Sequence, residues 1–162
     1  MSGEYKFGKV SRCCASCGRK FADGEKIFSS IMESETLLER RDFCTPCWEK
    51  GEKDEGCLFW SRRFDKERKG AVFNKSVAFD LFLRLAESDA SHSREFCYVL
   101  ALLLMRKKVL HLESTGVGGG EKFMVLRISG TDTTYRVTEP VLSEERLEYI
   151  KQNLSEVFET EI

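Results

Sequence analysis

Four cysteines carry the most specific chemistry in this chain. They stand as two CxxC pairs, Cys14 with Cys17 in "CASCG" and Cys44 with Cys47 in "CTPC", separated by the 26 residues 18–43. Two residues between thiolates let one tight turn present both sulfurs to a single ion about 2.3 Å away, and a second such turn completes the tetrahedron that zinc accepts without strain. The pattern therefore predicts one structural Zn2+ on Cys14, Cys17, Cys44 and Cys47. A catalytic zinc keeps one position open and usually draws histidine or carboxylate ligands, whereas four cysteines close the shell. Gly18, just after the first pair, can take a positive φ and turn the following amides back toward the sulfurs.

A redox dithiol is the main rival. That chemistry needs only one CxxC, normally at the start of a helix after a strand in a βαβ setting, and leaves a matching second pair without a purpose. The other cysteines fit neither pattern. Using Cys13 in place of Cys14 would widen the first spacing, so Cys13 is read as a spectator. Cys57 is expected to pack with Leu58, Phe59 and Trp60, and Cys97 to be a small core residue inside the apolar run "FCYVLALLLM".

The elements that must position the thiols follow from the sequence between them. "RKFADGEKIFSSIMESETLLERRDF" has a turn signal at Asp23-Gly24 and another at residues 33–35, between short stretches rich in Ile, Phe and Leu. This reads as a β-hairpin returning the second pair to the first. After Cys47, "WEKGEKDEG" can open a short helix, with Trp48 as an apolar lid. "CASCGRKF", a hairpin and "FCTPCWE" together resemble the treble-clef and zinc-ribbon modules over residues 10–52. The resemblance implies a structural platform for protein or nucleic-acid contacts and assigns no chemistry. The whole chain is also similar to bacterial proteins in which a zinc ribbon precedes a small α+β region.

"FWSRRFDKERKG", residues 59–70, changes character: five basic side chains and a terminal glycine suit an exposed linker. Beyond it, "NKSVAFDLFLRLAES" places Val77, Leu81, Phe82 and Leu85 at helical spacing behind an Asn74 cap. A second, largely buried helix is expected, capped by Ser91 or Ser93. Alternation then predicts strands over 109–113, 122–129 and 133–139, and a last helix after Ser143 with Leu147, Ile150, Leu154, Val157 and Phe158 on one stripe. The fold class expected is α+β: a zinc ribbon or treble clef over residues 1–60, a basic linker over 61–71, and a unit of two helices, a three-stranded antiparallel sheet and a C-terminal helix over 72–162.

"STGVGGGEK", residues 114–122, lacks the GK[ST] ending of a phosphate loop and falls between two strands, so it reads as a hairpin loop. His92 and His111 are the only histidines, and neither belongs to a nucleophile motif. With 162 residues, 33% charged and 41% hydrophobic, the chain can bury a core, and its two prolines and lack of low-complexity tracts fit an ordered protein. A net charge of -1 supplies no global attraction to nucleic acid or to an anionic membrane. The polar start and the short apolar run give no reason to expect a signal or a membrane span, and place the protein in the cytoplasm.

Three functions remain, from different classes. The first is a non-enzymatic, zinc-stabilised interaction protein that docks a protein partner. The second is a nucleic-acid-binding or transcription-associated module, using Arg62, Arg63, Lys66, Arg68 and Lys69 with Arg40, Arg41, Arg106, Lys107 and Lys108, provided they converge on one face. The third is a redox protein or other enzyme using the cysteines or a cleft between the two units. Oligomeric state is not written in the sequence.

Overall fold

Ten elements follow one another in the computed structural model, which describes residues 12–33, 37–51, 57–67 and 73–158. They form two three-stranded antiparallel sheets and four helices, divided between two compact units. The described residues up to Phe73, with those from Asn153 on, form the first unit; Asn74–Gln152 forms the second.

In the first unit, β1 (Lys26–Glu33) pairs with β2 (Leu38–Cys44) on one side and with β3 (Leu58–Arg63) on the other. A helix of one turn, α1 (Thr45–Glu49), starts directly from the end of β2, with Pro46 in its first positions, where a missing N–H costs nothing. Side chains alternate across the strands, so the register sorts this sheet into two faces. One carries Phe28, Phe43 and Phe59, with Trp48 stacked on Phe28 at 4.9 Å and tilted against Phe43 and Phe59. The other carries Ile27, Ser29 and Ile31, opposite Cys44, Asp42 and Arg40 on β2 and Arg62, Trp60 and Leu58 on β3.

The last residues of α4 (Glu144–Phe158) belong to this unit. Asn153 accepts from the Leu38 amide at 2.8 Å and donates to its carbonyl at 2.9 Å, acting as a short strand partner for the start of β2. Arg40 donates to the Val157 carbonyl at 2.8 Å, where the C-terminal end of a helix favours a cation.

The second unit begins with α2 (Lys75–Ala86), whose Asn74 cap accepts from the Val77 amide at 3.1 Å. Then come α3 (Ser91–Arg106), β4 (Leu110–Gly118), β5 (Glu121–Ile128), β6 (Thr134–Glu139) and the first part of α4, where Ser143 accepts from the Arg146 amide. The sheet order β4-β5-β6 is a simple meander. Phe82, Leu85, Phe96, Leu100, Leu104, Leu110, Leu126 and Ile150 are fully buried here.

Three expectations are corrected. Residues 59–63, read as the start of an exposed linker, lie in the edge strand β3 (Leu58–Arg63); its inward Arg62 is tolerated because Ser29 on β1 and Asp42 on β2 receive it. The glycine-rich loop is shorter than expected. β4 runs to Gly118 and the turn is Gly119-Gly120, both at positive φ. Gly116 and Gly118 are strand residues instead; a Cβ at Gly116 would sit 2.6 Å from the Phe123 ring, whereas the Arg136 guanidinium 2.8 Å from a Cβ at Gly118 is the end of a flexible side chain. Finally, α3 starts at Ser91 behind Ala90, with no side-chain cap. The expected turn at 33–35 and the basic residues Arg68 and Lys69 lie, wholly or in part, outside the described residues. No helix among the described residues is long and apolar enough to cross a membrane.

Candidate metal centre

The first cysteine pair sits in a turn closed by backbone hydrogen bonds. The Gly18 amide donates to the Cys14 carbonyl at 3.0 Å, with Gly18 in the left-handed region at φ 74, and the Cys14 amide donates to the Arg19 carbonyl at 2.9 Å. Cys13 bridges to Lys20 across this turn. The second pair lies at the junction of β2 and α1, with Cys44 at the cap and Cys47 inside the first helical turn. Two hydrogen bonds hold the halves in register: the Ala15 amide donates to the Asp42 carbonyl, and the Thr45 hydroxyl to the Lys26 carbonyl, both at 2.8 Å.

These contacts bring four sulfurs together. Cys14, Cys17, Cys44 and Cys47 place their Sγ atoms within 4.8 Å of one another, and Cys17 and Cys44 are 3.9 Å apart. A tetrahedron with metal–sulfur bonds of about 2.3 Å has edges of about 3.8 Å, so the cluster is of the right size to bind one metal ion. Cys14, Cys44 and Cys47 are buried and Cys17 is exposed. Soft thiolates throughout select zinc, copper(I) or iron over magnesium or calcium.

The thiols already influence one another. Burial pushes the Cys14 thiol up, but the amides of Cys17, Cys44 and Ser16 and the Cys44 side chain outweigh it and hold the group down at about 6. Cys47 is pushed up to about 12, first by its hydrogen bond with Cys44 and then by burial. Close sulfurs thus share protons that a metal would displace. Arg19 brings positive charge to the same place. Its guanidinium pairs with Glu25 and interacts with the Cys44 sulfur, and both contacts raise its pKa. Arg19 in turn holds the Glu25 carboxyl below the usual range, helped by the Ala22 amide.

Sequence reasoning missed two sets of residues around this centre. One is the Arg19–Glu25 pair; its signal is a basic residue directly after the Cys-Gly of the first knuckle. The other is the buried Asp42, which accepts from Ser29 and lies 3.3 Å from Arg40 and 3.9 Å from Arg62. Arg40 also lies over the Trp60 ring at 5.2 Å.

The remaining cysteines stand apart. Cys57 is buried in the apolar cluster that contains Trp48, Phe43 and Phe21, outside the four-sulfur group. Cys97 is buried in α3, where burial pushes its thiol up to about 12.

Strand alternation divides the candidate nucleic-acid residues. Arg40 and Arg62 point to the Asp42 face of the first sheet, and Arg41 and Arg63 to the Trp48 face. Among the described residues, His111 and Ser129 approach at 2.7 Å, but the Ser129 hydroxyl also donates to the Lys108 carbonyl, and His111 is exposed and Ser129 half-buried. Comparison of the chain with protein-family models, with curated proteins and with solved structures finds no significant match.

Proposed function

We propose that this chain is a non-enzymatic interaction protein whose first unit is a treble-clef or zinc-ribbon module, built around one structural Zn2+ on Cys14, Cys17, Cys44 and Cys47, and that it docks a protein partner in the cytoplasm. The observation that carries the reading is the convergence of four sulfurs from two separate turns. Four thiolates saturate a tetrahedral ion, so the metal holds the fold and offers no position for substrate. A second CxxC at the start of a helix supports the treble-clef form. The same placement, helix after strand, is the one feature that favours redox chemistry, but its sheet is wholly antiparallel, in the order β2-β1-β3, and a second thiol pair stands within metal-sharing distance.

Native mass spectrometry on protein purified without added metal tests this directly. One zinc per chain is expected, lost on chelation together with the protection of four thiols from alkylation. A metal-free chain two hydrogens light would contain a disulfide instead, and the redox reading would replace this one.

A further inference from the structure

We infer that the Trp48 face of the first sheet is the docking surface, and that it receives an acidic, aromatic-anchored segment of a protein partner. This deepens the protein-docking reading above and rests on it.

The face is defined by register. Lys26, Phe28, Ser30 and Met32 on β1 share it with Glu39, Arg41 and Phe43 on β2 and with Phe59, Ser61 and Arg63 on β3. At its centre is an aromatic group: Trp48 stacks on Phe28 and is tilted against Phe43 and Phe59. Trp48 and Phe43 are buried, Phe28 and Met32 are half-buried, and Phe59 is left 52% exposed. Phe59 touches Trp48 at the edge of this group and keeps half of its surface exposed. A rigid aromatic surface of this kind is the usual anchor point of a binding interface.

Charge selects the partner. Lys26, Arg41 and Arg63 are all exposed on this face, and Glu39, 3.7 Å from Arg41, is the one carboxylate among its described residues. On the opposite face, Arg40 and Arg62 are set against the buried Asp42. The chain as a whole carries a net charge of -1, so this cationic surplus is local. An apolar centre with a cationic rim complements a segment that offers an apolar side chain flanked by Asp and Glu, with the rim charges setting the encounter rate and salt dependence.

Single-stranded nucleic acid is the other polyanion to weigh. It binds by stacking successive bases on open ring faces. The Phe28 ring has Trp48 against one side at an interplanar angle of 4°, and the Lys26 ammonium lies 5.4 Å from its centroid. Among the described aromatic residues of this face, Phe59 is the most exposed, and a single exposed ring suits one inserted side chain better than a run of bases.

The test uses the full, zinc-loaded chain and three fluorescent 12-residue probes: a Glu/Asp peptide with a central Phe-Leu, its Lys/Arg counterpart, and oligothymidylate. Anisotropy should show the acidic peptide binding, weakening as salt rises, with the basic counterpart inert. The double charge reversal Arg41→Glu with Arg63→Glu should weaken it at least tenfold, and Phe59→Ser should weaken it with little change in salt dependence. Arg41→Gln with Arg63→Gln provides a milder pair should the reversal disturb folding. No binding of the acidic peptide, equal binding to the charge variants, or preferential binding of oligothymidylate would each overturn the inference. Native mass of every variant separates the two readings. A zinc-loaded chain that ignores the peptide sinks only the docking surface, while a chain without zinc sinks the metal-based reading whatever the peptide does.

Discussion

The two units bury apolar surface in different ways. In the first, an apolar cluster includes three cysteines of the candidate metal centre, Cys14, Cys44 and Cys47, packed with Phe21, Ile27, Phe43, Trp48 and Phe64. Its sheet also buries a carboxylate, Asp42, among Ser29, Arg40 and Arg62. A unit of this size has little apolar area to remove from water, and buried ion pairs add little net stability because desolvation offsets their attraction. Among the described residues, the second unit has no such cysteine group. Its fully buried residues include Phe, Leu and Ile side chains from α2, α3, the sheet and the first part of α4. On the proposed reading, cohesion is concentrated at the four-cysteine group in the first unit and distributed over many apolar contacts in the second.

Removing one thiolate should break that comparison most sharply. Cys44→Ser leaves three ligands, and structural zinc supplies on the order of 10 kcal/mol to small metal domains. Both tryptophans, Trp48 and Trp60, lie in the first unit, so their fluorescence reads it alone. The expected outcome is red-shifted, quenchable tryptophan emission at ambient temperature, while the helical circular dichroism of α2 and α3 persists with its own cooperative melt. Loss of both signals in one transition would mean that the second unit does not fold independently.

How much of this was legible in the sequence depended on how local each cause is. The two CxxC pairs and the Asn74 and Ser143 caps were readable because the groups involved lie within four residues of one another. The antiparallel sheet of the second unit was readable from alternation. What was missed depends on distant partners. "LFWSRR" looks like a charged connector until Ser29 and Asp42 are placed beside Arg62. Asn153 looks like an ordinary polar residue of a helix, and its partner Leu38 is 115 residues away. Gly116 reads as a loop residue because the Phe123 ring that occupies the space of its missing Cβ comes from another strand. The docking face has the same origin, since only the register shows that Arg41 and Arg63 share a side with Phe59.

A core deletion in the second unit sharpens the comparison from the other side. Phe82 has no exposed surface, lies 5.8 Å from Tyr135 in an edge-on contact and belongs to α2. Phe82→Ala should cost the second unit about 3–5 kcal/mol, the usual loss for a fully buried aromatic. In urea this would move the helical transition to lower denaturant, while zinc stoichiometry and tryptophan emission stay as in the unmodified protein. A fall in bound zinc would show that the metal centre depends on the second core.

The smallest effect tests one residue whose backbone runs against its type. Lys108 is the only non-glycine at positive φ among the described residues, at 63°. It follows α3, where the Lys108 amide donates to the Met105 carbonyl at 3.0 Å and the Val109 amide to the Leu104 carbonyl at 2.9 Å. This is the Schellman pattern of helix ends, in which the residue just past the cap is usually glycine. A side chain in that conformation costs about 1–2 kcal/mol, and glycine removes the cost while adding freedom to the unfolded chain. Lys108→Gly should therefore stabilise the second unit by about 0.5–1 kcal/mol, and Lys108→Val should destabilise it by more, since a β-branched residue tolerates that region worst. Both shifts should appear in the helical melt and leave the tryptophan-monitored transition unmoved, because α3 belongs to the second unit and both indoles to the first.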